Sequence, residues 1–131
     1  MDEKIIEKIL NDPFANFLGI SIEEVAEGFA KVSMNITKDM LNIHNTANGG
    51  VIFSLADVAF AIASNTYDQV AVGINVNINF ISAGLIDDYL VATAVEVTKN
   101  SRLGFYHMNV ENKKGQLIAT AEGMVYRKKN R

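Results

Sequence analysis

A lone carboxylate stands in the middle of the most apolar stretch of this chain. From Gly49 the sequence runs Gly50-Val51-Ile52-Phe53-Ser54-Leu55-Ala56-Asp57-Val58-Ala59-Phe60-Ala61-Ile62-Ala63, apolar all round a helical wheel, the mark of a helix enclosed on every side. Asp57 forfeits much hydration there unless it is paired, neutralised or turned to a wet pocket, and no Lys, Arg or His lies within a turn of it. Two readings stay open: an acid kept for acid, base or nucleophilic chemistry, or an aspartate hydrogen-bonded quietly at a subunit interface. Gly49 and Gly50 begin the same helix. Unpaired N–H groups at a helix start aim positive partial charge at an incoming oxygen, and two glycines leave its approach unobstructed.

Composition bounds what can surround these residues. The chain has 131 residues, 49% apolar and 21% charged, with a net charge of −3, which predicts one soluble domain over 1–131 with a core of ordinary size. Without cysteine there is neither a disulfide framework, a thiolate metal site nor a cysteine nucleophile. Positive charges are scattered apart from Arg127-Lys128-Lys129 with Arg131, which argues against a nucleic-acid partner. The start, Met1-Asp2-Glu3-Lys4, lacks the pattern of a signal peptide, and the longest apolar run is too short to span a bilayer. The expectation is a cytoplasmic protein with no membrane partner.

The elements that must position Asp57 follow from periodicity. Residues 2–10 place Ile5, Ile6, Ile9 and Leu10 at helical spacing, and Asn11-Asp12-Pro13 breaks that helix. Strands are predicted over 19–26 and 29–36, paired as a hairpin through Glu27-Gly28. A loop of turn formers, Asn42-Ile43-His44-Asn45-Thr46-Ala47-Asn48, delivers the chain into the apolar helix, which ends at Asn65. Four more strands are predicted near 70–81, 88–99, 102–112 and 116–127, joined by short turns as an antiparallel meander. In the first of these, Val70, Val72, Ile74, Val76, Ile78 and Phe80 are expected on a core face, with Asn75, Asn77 and Asn79 on a polar one. One apolar helix among strands buries its circumference only if the sheet wraps it and something covers the rest; a second copy would serve.

The loop and helix together resemble the PaaI-like group of hotdog-fold acyl-CoA thioesterases. The stretch that carries the resemblance is Asn42 through Gly50, then Phe53-Ser54-Leu55-Ala56-Asp57, Ala59-Phe60-Ala61 and Asn65, against a group pattern of Asn, His-Gly-Gly and an acid seven or eight positions on. Asn11-Asp12, Leu18-Gly19, Asn79-Phe80-Ile81 and the Gly84 turn extend it over nearly the whole chain. One departure stands out: Asn48 occupies the place of the group's His. The resemblance implies an α+β hotdog fold, an antiparallel sheet wrapped around one long central helix, dimeric. It implies Asp57 as the catalytic nucleophile or general base, the Gly49 N–H as donor to the thioester carbonyl, Asn48 beside it, and Asn42 holding substrate or water. Asn11 and Gly50 are further substrate-binding candidates. The group places Gly73 and Asn75 near the acyl pocket, although the asparagine row also reads as a solvated sheet face. An amide at 48 can donate a hydrogen bond but cannot shuttle a proton as imidazole does.

Geometry bears on how such a site is assembled. From Gly50 to Asp57 is a rise of roughly 10 Å, whereas an attacked carbon lies about 3 Å from both nucleophile and oxyanion donor. A two-fold dimer with antiparallel central helices would bring Gly49 of one chain to Asp57 of the other, with Ala56, Ala59, Ala61 and Ala63 permitting close approach. A homodimer, or a homotetramer made of two such dimers, is therefore expected. His44 has the chemistry to replace the missing imidazole but reads as a turn residue, and His107 as a packed strand residue. Lys99, Ser101 and Arg102 form a turn suited to the anionic phosphates of coenzyme A, or a solvated charge cluster. Gly49-Gly50 is not followed by Lys-Ser/Thr, which disfavours a phosphate loop. No metal or redox cofactor is implied; coenzyme A would enter as part of the substrate. Two rivals remain, a non-catalytic acyl-CoA sensor and a hydroxyacyl-thioester dehydratase, the latter lacking a loop His at position 48.

Overall fold

The computed structural model describes residues 3–130, without the side chain of Asn130, so the expected helix start at Asp2 and the charge of Arg131 lie outside the described residues. Two short helices, α1 (Glu3–Leu10) and α2 (Pro13–Leu18), lead into β1 (Ser21–Ala26) and β2 (Phe29–Asn35); then come the long helix α3 (Gly49–Ser64) and strands β3 (Gln69–Phe80), β4 (Tyr89–Lys99), β5 (Leu103–Glu111) and β6 (Leu117–Asn130). Helix α2 departs from the expectation, which ran from the Pro13 break directly into a strand. Its ends were nonetheless written in the sequence. Asp12 caps it, accepting from the N–H groups of Phe14 and Ala15 at 3.0 and 3.1 Å; Pro13 takes the first turn, and Gly19 ends it at φ 72°.

The six strands form one antiparallel sheet in the order β1-β2-β4-β5-β6-β3. The β1–β2 hairpin and the β4–β5–β6 run match the expectation, but β3 does not lie beside β4 as a four-stranded meander requires. The link 81–88 instead crosses near the start of α3, with Ile81 N–H donating to Ile118, Ala47 N–H to Gly84 and Asp87 N–H to Ile36. Short connections do not force adjacency when the sheet must curl round a helix, and β3 closes the far side by pairing with β6.

The face that α3 meets is small and apolar. Ala30, Val32 and Met34 of β2, Leu90, Ala92 and Ala94 of β4, Met108 and Val110 of β5, and Ala119 and Ala121 of β6 are buried with Leu55, Ala56, Ala59, Ile62 and Ala63 of α3. Alanines on both partners let backbone approach backbone, and each larger side chain buried adds about 1.5–3 kcal/mol. Within this chain α3 is not enclosed on every side, however. Gly50 and Ala61 are exposed and Phe53, Ser54 and Asp57 half-buried, so one stripe of α3 faces away from the sheet.

Two further expectations are corrected. A bulge in β3 between Gly73 and Asn75 switches the strand's faces: Gly73 pairs with the buried Val125, Asn75 with Met124 and Val76 with Gly123. Val72 and Ile74 therefore turn outward, 39% and 54% exposed, while Val76 and Ile78 pack on the core; Phe80 stays 53% exposed. Arg127, read as part of a basic surface cluster, is fully buried. It follows Val125 on the inner face of β6, donates Nη1 to the Ser64 carbonyl at 3.0 Å and Nη2 to the Tyr106 hydroxyl, and lies 3.9 Å from Glu96. The negative end of α3 and this carboxylate offset the cost of burying its charge.

Phe60 locks α3 to the sheet edge. Its ring meets Tyr106 edge-on at 5.8 Å and sits between two glycines: a Cβ at Gly73 would fall 3.0 Å from it, and one at Gly123 only 2.6 Å. The ring has nowhere to retreat. Gly123→Ala should cost about 1–3 kcal/mol by overpacking, and Phe60→Leu in the same chain should recover part of that loss. Urea denaturation of the two single variants and the double variant measures the coupling, and additive losses would exclude the clash.

Candidate active site at the uncovered face of the central helix

The loop before α3 is held by Asn42. Its Oδ1 accepts from the N–H groups of His44 and Thr46 at 2.9 and 3.2 Å, and its Nδ2 donates to Thr46 Oγ1 at 3.0 Å. The side chain implied to hold substrate or water is thus occupied in shaping the loop. His44 is exposed and engages through its backbone, as a turn residue would.

Asn48 then begins the helix. An α-helix leaves its first four N–H groups without intrahelical partners, here those of Asn48, Gly49, Gly50 and Val51: Asn48 N–H donates to the Met40 carbonyl at 2.8 Å, Gly50 N–H to the Asn48 side-chain Oδ1 at 2.7 Å, and Val51 N–H to the Asn48 carbonyl at 3.0 Å. The remaining one belongs to Gly49. Gly49 lines a cleft of about 310 Å³ with Asn42, Thr46, Ile52, Phe80 and Ser82, and a Cβ added to it would lie 3.2 Å from the Phe80 ring. The Oδ1 of Asn48 is spent on the cap, so what it has left to offer a ligand is its Nδ2. Gly50 has both backbone groups engaged, its N–H with Asn48 and its carbonyl with Ser54 Oγ at 2.7 Å, and contributes an unobstructed surface on the exposed stripe.

Asp57 lies two turns further along this stripe. Burial raises its carboxyl above the ordinary carboxylate range, and the negative charge of Asp12 raises it further. The α1–α2 turn thus brings Asp12 toward the site, a residue that entered the sequence reading as a helix breaker and part of the family resemblance, with no role assigned there. Asn11, the candidate next to it, is exposed and donates Nδ2 to the Glu7 carbonyl at 2.9 Å, closing the end of α1.

The other candidates spread apart. Gly73 faces inward against Phe60, whereas Asn75 is exposed on the outer face, accepts from Asn77 Nδ2 at 3.2 Å, and borders a shallow groove of about 480 Å³ with His107 and Glu122. Arg102 is exposed in a cleft of about 470 Å³ with Gln69, Ser101 and Lys129. Its carbonyl accepts from the N–H of Arg127, whose guanidinium reaches Ser64, so Arg102 belongs to the end of α3 opposite Gly49, a helix length of roughly 22 Å away. One chain therefore gathers Asn42, Asn48, Gly49 and Gly50 at one end of α3, Asp57 with Asp12 midway, and Arg102 at the far end. Gly49 and Asp57 of the same helix are separated by roughly 12 Å of rise.

An antiparallel six-stranded sheet wrapped round one long central helix is the hotdog architecture. Residues 44–119 match the model of the thioesterase superfamily. A putative esterase of Archaeoglobus fulgidus is 44% identical over 117 residues, covering 89% of this chain and 76% of that protein. The acyl-coenzyme A thioesterase PaaI of Escherichia coli is 39% identical over 117 residues, covering 89% and 84%. The solved structure of the E. coli PaaI protein from the phenylacetic acid degradation operon superposes with a TM-score of 0.93 at 37% identity, over 95% of this chain and 91% of that one. The chain belongs to the thioesterase superfamily, and within it to the PaaI-like hotdog thioester hydrolases. Among the described residues no helix is long and apolar enough to cross a membrane.

Two outcomes test this geometry without reference to turnover. Asn48→Ala should cost about 1 kcal/mol through loss of the cap, and Asn48→Ser should not, as read by urea denaturation. For Asp57 the sign follows from its raised carboxyl. Below the ordinary carboxylate range it is neutral in both folded and unfolded chains; as pH rises, the unfolded chain ionises first and the folded state loses stability. Asp57→Asn should therefore melt above wild type near neutral pH, and that gain should vanish near pH ~3, below the unfolded carboxylate value. Thermal melts across pH that show no such difference would contradict the desolvation of Asp57.

Proposed function

We propose that this protein hydrolyses acyl- or arylacyl-CoA thioesters to the free acid and coenzyme A, at two equivalent sites shared between the chains of a homodimer. The observation that carries this reading is that one helix presents both an unclaimed N–H, that of Gly49 beside a cleft at its start, and, on the stripe the sheet leaves uncovered, a desolvated carboxylate at its middle. In a two-fold pair with antiparallel α3 helices, Gly49 of one chain meets Asp57 of the other. The thioester oxygen accepts from the Gly49 N–H, with Asn48 Nδ2 as second donor. Asp57 takes a proton from water as the water oxygen bonds to the carbonyl carbon, or attacks that carbon itself, in which case the acyl-Asp57 anhydride left after thiolate departure is hydrolysed by water to the free acid and Asp57. Collapse of the tetrahedral intermediate breaks the C–S bond, and the thiolate leaves to be protonated as free thiol. No further cofactor is called on. Arg102 of the chain that supplies Asp57 stands beyond the site along that helix, where the phosphates at the far end of coenzyme A would lie. Support comes from the kinship with E. coli PaaI, an acyl-coenzyme A thioesterase.

Asp57→Asn should lower thiol release from an acyl-CoA panel by ~100-fold or more, with the fold intact by circular dichroism; more than about a tenth of wild-type turnover would remove Asp57 from the chemistry. Mixing folded Asp57→Asn chains with folded Gly49→Pro chains should restore activity, since one composite site in each heterodimer has both halves intact. Verified heterodimers that stay inactive would sink the shared site. Tight binding of acyl-CoA by the wild type with no thiol release across the panel would favour the sensor reading instead.

A further inference from the structure

Asp12 is tied into the structure twice. Its Oδ1 accepts from the N–H groups of Phe14 and Ala15, which fixes the carboxylate at the start of α2. It also lines a cleft of about 260 Å³ between α1 and the second half of α3, together with Lys8, Ile9, Ala61, Ile62 and Asn65. Ala61 stands one turn past Asp57 on the same uncovered stripe, so Asp12 borders the face on which the catalytic candidate lies. The segment 49–65 carries no charge other than Asp57. On the sheet face beneath α3, Arg127 and Glu96 are engaged with each other at the helix's far end. Lys8 shares the cleft with Asp12, and next to burial it is the negative charge of Asp12 that raises the Asp57 carboxyl.

We propose that Asp12 is a positioning residue of the Asp57 site, a fixed negative charge that the α1–α2 turn holds beside the free face of α3 and that sets the proton state in which Asp57 rests. The inference builds on the proposed hydrolysis. A negative charge held beside a desolvated carboxyl makes that carboxyl the stronger base. Asp57 so placed accepts a proton from the attacking water more readily. It can return that proton to the departing sulfur, a role for which this chain has no imidazole at position 48. The α1–α2 turn thereby becomes part of the catalytic apparatus, although it contributes no group to the reacting atoms.

The test separates charge from capping, because Asn and Ser cap a helix about as well as Asp. Asp12→Asn and Asp12→Ser should leave the melting temperature close to wild type yet move two midpoints to lower pH: the acid limb of kcat/KM with acyl-CoA, and the carboxyl ¹³C titration of Asp57, assigned by its loss in Asp57→Asn. Asp12→Glu should restore both toward wild type. Midpoints that stay at the wild-type value in both neutral variants would overturn the proposal, since a purely structural Asp12 would leave them unmoved. Should the wild type release no thiol at any pH, the proposed hydrolysis fails while the ¹³C titration still decides whether Asp12 governs Asp57.

Discussion

The close approach of α3 to the sheet is the constraint on which everything else depends. Alanines on the inner face of the sheet meet alanines on the helix, which brings main chain near main chain and leaves no room for a second layer of side chains. The Phe60 ring fits because Gly73 and Gly123 leave it a slot, and the buried Arg127 secures the last turn through the Ser64 carbonyl. These contacts fix α3 along its axis and about it. That fixes the direction of the Gly49 N–H and the side of the helix from which Asp57 emerges.

Such rigidity matters chemically because the site is spread along a helix instead of clustered in a loop. In the proposed dimer a donor and an acid meet across two copies of the same element, and they can do so only if each is held to within a fraction of an ångström. The desolvation of Asp57 is the complementary cost. The fold tolerates an acid where an apolar residue would be more stable, a trade expected where function and stability compete.

How much of this was legible in the sequence differs from residue to residue. The apolar run from Gly49 to Ala63 announced a buried helix and set Asp57 apart, because hydrophobic periodicity survives any tertiary context. The hairpin and the three consecutive strands β4, β5 and β6 were readable from turn residues and alternation. Strand order was not, since pairing of β3 with β6 is a long-range event that no local pattern encodes. The bulge at Gly73–Asn75 reversed half of an alternation that looked regular, and a single inserted residue has no periodic signature. Arg127 looked like surface because two lysines follow it, yet strand alternation after Val125 points it inward. The helix after Pro13 had an Asp cap, a first-turn proline and a terminal glycine, and went unread because its body is too short to show a period. The capping role of Asn48 was hidden for another reason: the resemblance drew attention to what its amide could give a ligand, while the helix needed what its oxygen could accept.

A main-chain hydrogen carries an evolutionary property that a side chain lacks. Substitution can delete a carboxylate, an imidazole or an amide in one step, but the N–H at the head of α3 survives every replacement at position 49 except proline. On the proposed reading the electrophilic half of the site outlasts most substitutions at position 49 so long as the helix begins where Asn48 begins it, although any side chain there meets the Phe80 ring. Drift in chemistry and substrate range has to run through the neighbours instead: position 48, the Phe80 wall, and the turn that carries Asp12. Such a scaffold can change what it binds while the main-chain donor stays where the start of the helix put it.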